Sequence, residues 1–438
     1  MLTAADTPPL AGDWQGTISF NGLEQHLAVH LKSNGGSWTG SMDAVDSGVK
    51  GIPIQGVAVQ DFKLSFQVPK VQGSYEGTLD AKTDVVSGTW SQGPLKLPLA
   101  LHRMTGLAGP NRPQEPKPPY PYVSEDVAYD NPQAAGVRLA GTFTKPKGSG
   151  PFKTVLLITG SGPQNRDEEI MDHKPFLVLA DYLTRRGVAV LRVDDRGVGE
   201  STGKFAAATT QDFATDVMAG VRYLLGRADV DKKKIGLIGH SEGGVIAPMV
   251  AVKMPEIAFI VLMAGTGVPG HAVIEDQVYQ MNLIGGASAE QAAQAREAEQ
   301  KILSLVMSEP DPEKKILAMV NGNAAAEARL KAQIPGLMSP WYRYFIEYDP
   351  RPALEQVKCP VLALDGSKDS QVSPELNLPA IEGALKKGGN RDVTVELVPG
   401  VNHIFQTAKT GAVSEYREIE ETMSPKVLAI IGDWVEKR

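Results

Sequence analysis

Residues 234–247, KIGLIGHSEGGVIA, leave the chain few folds to choose from. An apolar run, 235–238, meets Gly239, His240, Ser241, Glu242 and Gly243, and a small-residue helix start follows. A strand, sharp turn and helix in that order force the residue at the tip into a strained backbone conformation, with small neighbours on both sides as the steric condition. A helix that begins after Ser241 also directs free N–H groups and positive partial charge toward any anion forming beside the hydroxyl. A surface turn would account for the glycines but not for a hydroxyl at the tip.

The chain before this turn changes character twice. Residues 1–108 read as an all-β domain, a sandwich or small barrel. Short alternating segments at 16–20, 27–31, 38–42, 63–68, 73–79, 86–90 and 95–101 are punctuated by glycine at the spacing such folds use. Its histidines, His26, His30 and His102, have no cysteine partner and only Glu24 nearby, so they read as strand residues rather than metal ligands. Residues 109–122, GPNRPQEPKPPYPY, are proline-rich and poor in aliphatics, which reads as a stiff, extended linker.

Residues 123–438 read as an α/β domain. Segments 126–129 and 137–143 look like a leading antiparallel pair. Continuous apolar strands at 154–159, 188–193, 235–238, 259–263, 361–364 and 393–398 then alternate with helical stretches at 176–185 and 210–225, and residues 415–436 read as closing helices. Such strands imply a parallel sheet covered on both faces. The interval 268–351 holds no strand signal and is rich in Ala, Glu, Gln and Met. Within it, 288–307 reads as a helix opened by a capping box from Ser288 to Gln291. A stretch that long must carry its own structure, so it reads as a helical cap over the carboxyl ends of the strands, where open α/β sheets bind ligands.

A serine hydroxyl needs a base within hydrogen-bond reach, itself held by an acid. In the α/β-hydrolase fold these follow in the order Ser, Asp or Glu, His. Two histidines lie downstream of Ser241: His271 at the cap entrance and His403 after the last strand. His403 is the expected base. For the acid, the loop after the penultimate strand offers Asp365 and Asp369, and Asp369 is favoured because it lies beyond the turn at Gly366. Oxyanion donors are expected from the backbone of Glu242 and from the loop after the first parallel strand, with Gly162 first and Gln164 next. Trp341, Tyr342 and Tyr344, with Phe345, are candidates to line an acyl pocket or simply to pack the cap. Residues 194–201 lack the Lys and Ser/Thr pair of a phosphate-binding loop, so Arg196 reads as a bridge between loops.

Composition removes several function classes. A net charge of -7 and no large Lys/Arg cluster argue against a nucleic-acid footprint. No run approaches 18 apolar residues, so no membrane span is expected. The lone Cys359 reads as a small buried hydrophobe. Residues 1–9 resemble a mature N-terminus restarted at Met, with no signal peptide in this sequence.

The assembled motifs resemble bacterial α/β-hydrolase serine esterases that carry an N-terminal β domain. The matching segments are GSGPQNRDE (160–168), DDRGVGES (194–201), GHSEGG (239–244), SPWYRYF (339–345) and GSKDSQV (366–372), together with 88–103 and the linker 112–122. The resemblance covers nearly the whole chain. It implies a carboxylic-ester hydrolase with Ser241, Asp369 and His403 as triad, no metal or other cofactor, and export to the periplasm or beyond; the group spans short-chain and bulkier esters, and short to medium acyl chains are the expectation here. The expected partner is a small-molecule ester, and dimerisation through the β domain is left open. A serine aminopeptidase or dipeptidyl peptidase of the same fold is the alternative, because Glu242 beside the nucleophile could meet a substrate amine. A binding protein with an inert hydrolase core is disfavoured by the complete triad order.

Overall fold

A computed structural model of the chain describes residues 10–20, 23–44, 49–60, 62–93, 95–104, 111–320 and 322–438. The N-terminal residues 1–9 and the first two linker positions, 109–110, lie outside the described residues. The chain divides into two compact units, Met1–Gly109 and Pro110–Arg438.

The first unit is one antiparallel sheet of nine strands: β1 (Gly12–Phe20), β2 (Leu23–Asn34), β3 (Ser37–Ala44), β4 (Val49–Pro53), β5 (Gln55–Gln60), β6 (Lys63–Val68), β7 (Gly73–Asp80), β8 (Val85–Gln92) and β9 (Leu95–Arg103). The order β4-β3-β2-β1-β9-β8-β7-β6-β5 brings the two edges toward each other, and Ile54 N–H donates to the Gly40 carbonyl at 3.3 Å where they approach. The sheet is nearly a barrel. Its alternating inward residues, among them Trp14, Leu64, Phe66, Tyr75 and Leu99, form one core. The Tyr75 hydroxyl donates to Val86 O at 2.9 Å, so this buried polar group is satisfied. Strands β4 and β5 escape a reading by alternation because Gly51, Pro53 and Gly56 interrupt the run. His30, a strand residue, sits between Asp13 at 2.6 Å and Asp43 at 3.2 Å.

The second unit opens with β10 (Val123–Asp130), β11 (Arg138–Lys145), β12 (Phe152–Ile158), α1 (Pro175–Arg185), β13 (Ala189–Val193), α2 (Thr210–Gly226), β14 (Val230–His240), α3 (Glu242–Lys253) and β15 (Ile257–Met263). A run of helices follows: α4 (Gly270–Ile284), α5 (Ala289–Ser308), α6 (Glu313–Ala318), α7 (Ala324–Leu337), α8 (Pro340–Glu347) and α9 (Arg351–Leu354). The unit closes with β16 (Val361–Gly366), α10 (Pro374–Lys387), β17 (Val393–Val398) and α11 (Pro425–Glu436). The sheet order β10-β11-β13-β12-β14-β15-β16-β17, parallel from β13 onward, is that of the α/β-hydrolase fold.

Both faces of this sheet are buried, and successive residues of one strand enter different cores. Leu156 and Ile158 of β12 pack with α2 and α3, whereas Val155 and Leu157 pack with α1 and α11. The helices between β15 and β16 bury a small core of their own around Leu303, Val306, Ile316 and Ile346. Ser288 and Gln291 form a reciprocal capping box at the start of α5, with bonds of 2.9 and 3.1 Å.

Two stretches differ from their sequence reading. Residues 416–424 are not helical; α11 alone closes the chain. Their backbone groups are claimed from elsewhere. Gln406 Nε2 donates to the carbonyls of Tyr416 and Glu421, Arg112 donates to those of Arg417 and Ile419, and Gln114 Oε1 accepts from the N–H groups of Thr422 and Met423. A helix would need those same groups for its own ladder. The second stretch is the proline-rich segment, which from Arg112 onward is bonded into this unit rather than standing as a free spacer.

Candidate active site

Ser241 stands between β14 and α3 at φ 53° and ψ -115°, a region that side-chain-bearing residues rarely occupy. The turn is forced by close packing. A Cβ on Gly239 would lie 2.0 Å from the Gly243 carbonyl oxygen, and one on Gly243 would lie 2.2 Å from that of Ile158. The Ser241 side chain caps no helix N–H, which leaves its hydroxyl to the adjoining cleft. That cleft, about 440 Å³ between side chains, is lined by Gly160, Ser161, Gln164, Ser241, Gln371 and His403 among others.

His403 reaches the cleft from the loop after β17. The loop is shaped by Asn402, whose Oδ1 accepts the Gln406 N–H at 2.9 Å, and by Phe405 at φ 65°. His403 Nδ1 lies 2.6 Å from Asp369 Oδ2, with both side chains buried. The other oxygen of Asp369 accepts the N–H groups of Gln371 at 2.7 Å and Val372 at 2.9 Å, fixing the carboxylate. Asp365 takes a different place. It is fully buried at the end of β16, with Oδ1 on its own loop at Gly366 N and Oδ2 without a partner. Burial, followed by the neighbouring Asp369, pushes its carboxyl well above the usual range. His271 lies on α4 beside Glu275 at 3.3 Å and does not line the cleft.

The residue before the serine has a role that the spacing gave no hint of. His240 is buried, with Nδ1 2.9 Å from Glu168 Oε1 and Nε2 3.0 Å from the His403 carbonyl. Burial by itself would lower its pKa, but the charge and hydrogen bond of Glu168 outweigh it, so the pKa is raised. Glu168 Oε1 also accepts the Gly160 N–H at 2.7 Å. One carboxylate therefore links the loop after β12, the turn at Ser241 and the loop bearing His403.

The loop after β12 engages one of the expected oxyanion donors elsewhere. The Gln164 N–H is taken by Asp195 Oδ2 at 2.9 Å, whereas Gly162 and Glu242 both line the neighbouring cavity. Ser161 lines the cleft, and its N–H has no acceptor among the described residues. The aromatic candidates also sit elsewhere. Trp341 Nε1 donates to Glu242 Oε1 at 2.8 Å, Tyr342 packs into the small core of the helical insertion, and the Tyr344 hydroxyl reaches Gln211 on α2 at 3.5 Å. None of the three lines the Ser241 cleft. Glu242 Oε1 also accepts the Thr210 hydroxyl at 2.6 Å, and burial raises the pKa of this carboxyl. Arg196, expected to bridge loops, instead ties its loop to helix α2 through Asp216 at 2.6 Å.

The family described as X-Pro dipeptidyl-peptidase (S15 family) matches residues 112–383, more than half of the chain. The chain belongs to the S15 family. It is a hydrolase, and the matched region contains Ser241 and Asp369 while stopping short of His403 and of the β unit. This S15 member is 24% identical over 368 residues to esterase EstD of Thermotoga maritima, covering 83% of this chain and 82% of that one. Among solved structures, esterase Pf2001 of Pyrococcus furiosus matches at a TM-score of 0.46 and 17% identity, covering 76% of this chain and 99% of that one. A dienelactone hydrolase from Anabaena variabilis matches at a TM-score of 0.40 and 16% identity, over 73% and 99% of the two chains.

Proposed function

We propose that the protein is a serine carboxylesterase that works through an acyl-enzyme on Ser241. The observation that carries this reading is the 2.6 Å contact between His403 and Asp369 in the cleft that Ser241 enters at φ 53°. In the first half-reaction His403 Nε2 takes the Ser241 proton as the oxygen attacks the ester carbonyl, and Asp369 holds the imidazolium through Nδ1–H. The tetrahedral oxyanion is received by the N–H groups of Glu242 and Ser161, donors of a kind worth about 2–4 kcal/mol of barrier each. Collapse releases the alcohol, which takes its proton from His403. A water deprotonated by the same imidazole then attacks the acyl-enzyme, and the acid leaves with Ser241 reprotonated.

The likeness to an esterase at 24% identity supports this choice within the family. The family's description favours a second reading, removal of dipeptides from a peptide N-terminus. That reaction wants a carboxylate for the substrate ammonium, and the one nearest Ser241 in sequence, Glu242, is already held by Thr210 and Trp341. The test is a pair of measurements on the full chain: labelling of Ser241 by a fluorophosphonate, and hydrolysis of p-nitrophenyl butyrate set against an aminoacyl-prolyl anilide. Labelling with ester turnover alone is the expected result. Anilide turnover exceeding that of the ester would reverse the assignment.

A further inference from the structure

A second cavity adjoins the Ser241 cleft, enclosing about 520 Å³ between the sheet and the helices α2 and α3, part of it open to solvent. Gly160 belongs to the walls of both, and a Cβ on it would stand 3.3 Å from the Ser241 Cβ. The cavity therefore begins one residue away from the candidate nucleophile, with Glu242 also in its wall. We propose that this cavity is the chamber for the acyl chain of the ester, an apolar group longer than acetyl, with Val217, Phe213 and Ile246 setting its length. The proposal rests on the esterase reading.

Its lining shows which chemistry fits. The walls are Leu139, Leu156 and Ile158 from the sheet, Phe213 and Val217 from α2, and Ile246 from α3. Every acidic side chain in the lining already has a partner within the protein. Asp194 is paired with Arg166 at 2.6 Å and Asp216 with Arg196 at 2.6 Å, while Asp195 accepts from Thr159 Oγ1 at 2.7 Å and from Gln164 N–H. Glu242 accepts from Thr210 and Trp341. Burial pushes the Asp195 carboxyl up to about 8, so it does not present a strong charge near neutral pH, and burial raises that of Glu242 as well. A ligand with its own charge would gain little here, whereas apolar wall left in contact with water is the surface that an alkyl chain covers.

The test is the acyl-length profile of p-nitrophenyl esters. Each methylene seated in the chamber should raise kcat/KM roughly fourfold, the equivalent of about 0.8 kcal/mol. Val217→Phe fills the chamber and should lower the hexanoate-to-acetate ratio of kcat/KM at least tenfold. Should near-UV circular dichroism show that this variant does not fold, Phe213→Ala enlarges the same space and should raise the octanoate-to-hexanoate ratio at least threefold. Ratios unmoved in a folded variant whose Ser241 still reacts with a fluorophosphonate would overturn the chamber and leave the esterase reading intact. Failure of the unaltered protein to be labelled would remove the esterase reading itself.

Discussion

Trp341 Nε1 donates to Glu242 Oε1 at 2.8 Å, so a residue of α8 in the helical insertion is bonded to the residue that follows Ser241. The acceptor is buried, and Thr210 is its other partner. Trp341→Phe keeps the ring and removes the donor. It should cost roughly 1 kcal/mol of stability, read as a lower urea midpoint, because a buried acceptor loses half of its hydrogen bonding. Ester kcat/KM should fall several-fold in the same variant, and unchanged values of both would show that the contact does not position the turn.

The backbone of Ser241 predicts an inverse relation between activity and stability. Conformations of this kind cost about 1–3 kcal/mol when a side chain is present, and glycine relieves most of that. Ser241→Gly should abolish esterase activity while raising the thermal midpoint. Its net gain is about 1 kcal/mol, after allowance for the extra freedom of glycine in the unfolded chain. A lower midpoint would count against strain at this position.

Asp369 and Asp365 should respond very differently to the same change. Asp369→Asn removes the charge facing His403 and should reduce kcat by a factor on the order of 10³ to 10⁴. Asp365 already has its carboxyl pushed well above the usual range by burial and by Asp369. Asp365 makes no bond to His403, its Oδ1 lying on Gly366 N and its Oδ2 without a partner, so kcat/KM for Asp365→Asn should stay within about threefold of the unaltered protein. The opposite pattern in steady-state kinetics would exchange the two assignments.

The Glu168–His240 pair predicts a stability difference that depends on pH. Because the folded-state pKa of His240 is raised above the ordinary 6.5, its contribution is fully present below 6.5 and disappears as pH rises through the raised value. Thermal midpoints of the unaltered protein and Glu168→Gln should therefore differ most near pH 6 and converge on the alkaline side. A gap that widens with pH would mean that His240 is neutral in the folded protein.

These contacts also explain which parts of the site could be read from sequence. Ser241, Asp369 and His403 are tied to turn chemistry and chain order, both of which are local. The choice among candidate oxyanion donors after β12 is not local. Which N–H stays free after β12 is decided by Glu168 at Gly160, 8 residues away, and by Asp195 at Gln164, 31 residues away. Ser161 and Gly162 are what they leave, and no spacing rule encodes that. The aromatics of 341–345 stayed open between pocket and packing for a related reason. On an eight-residue helix every side chain is near some surface, and the small core around Ile346 drew Tyr342 inward while Glu242 captured Trp341. Fold class was the easier inference, since strand and helix periodicities differ and the linker composition marks the change. The two strands at 49–60 were lost because glycine and proline mask short edge strands.

The guanidinium of Arg112 reaches five carbonyls, those of Asn111, Met171, Asp172, Arg417 and Ile419. Gln114 fixes the next turn of the same segment, which in turn leans on Gln406, three residues beyond His403. Anyone separating the two halves of this protein by proteolysis or by shortening the gene faces a boundary that composition misplaces. A fragment begun at residue 123 discards Arg112 and Gln114, and with them the bonds that hold 417–423 beside Gln406, so a fragment meant to keep that packing has to be cut ahead of Arg112.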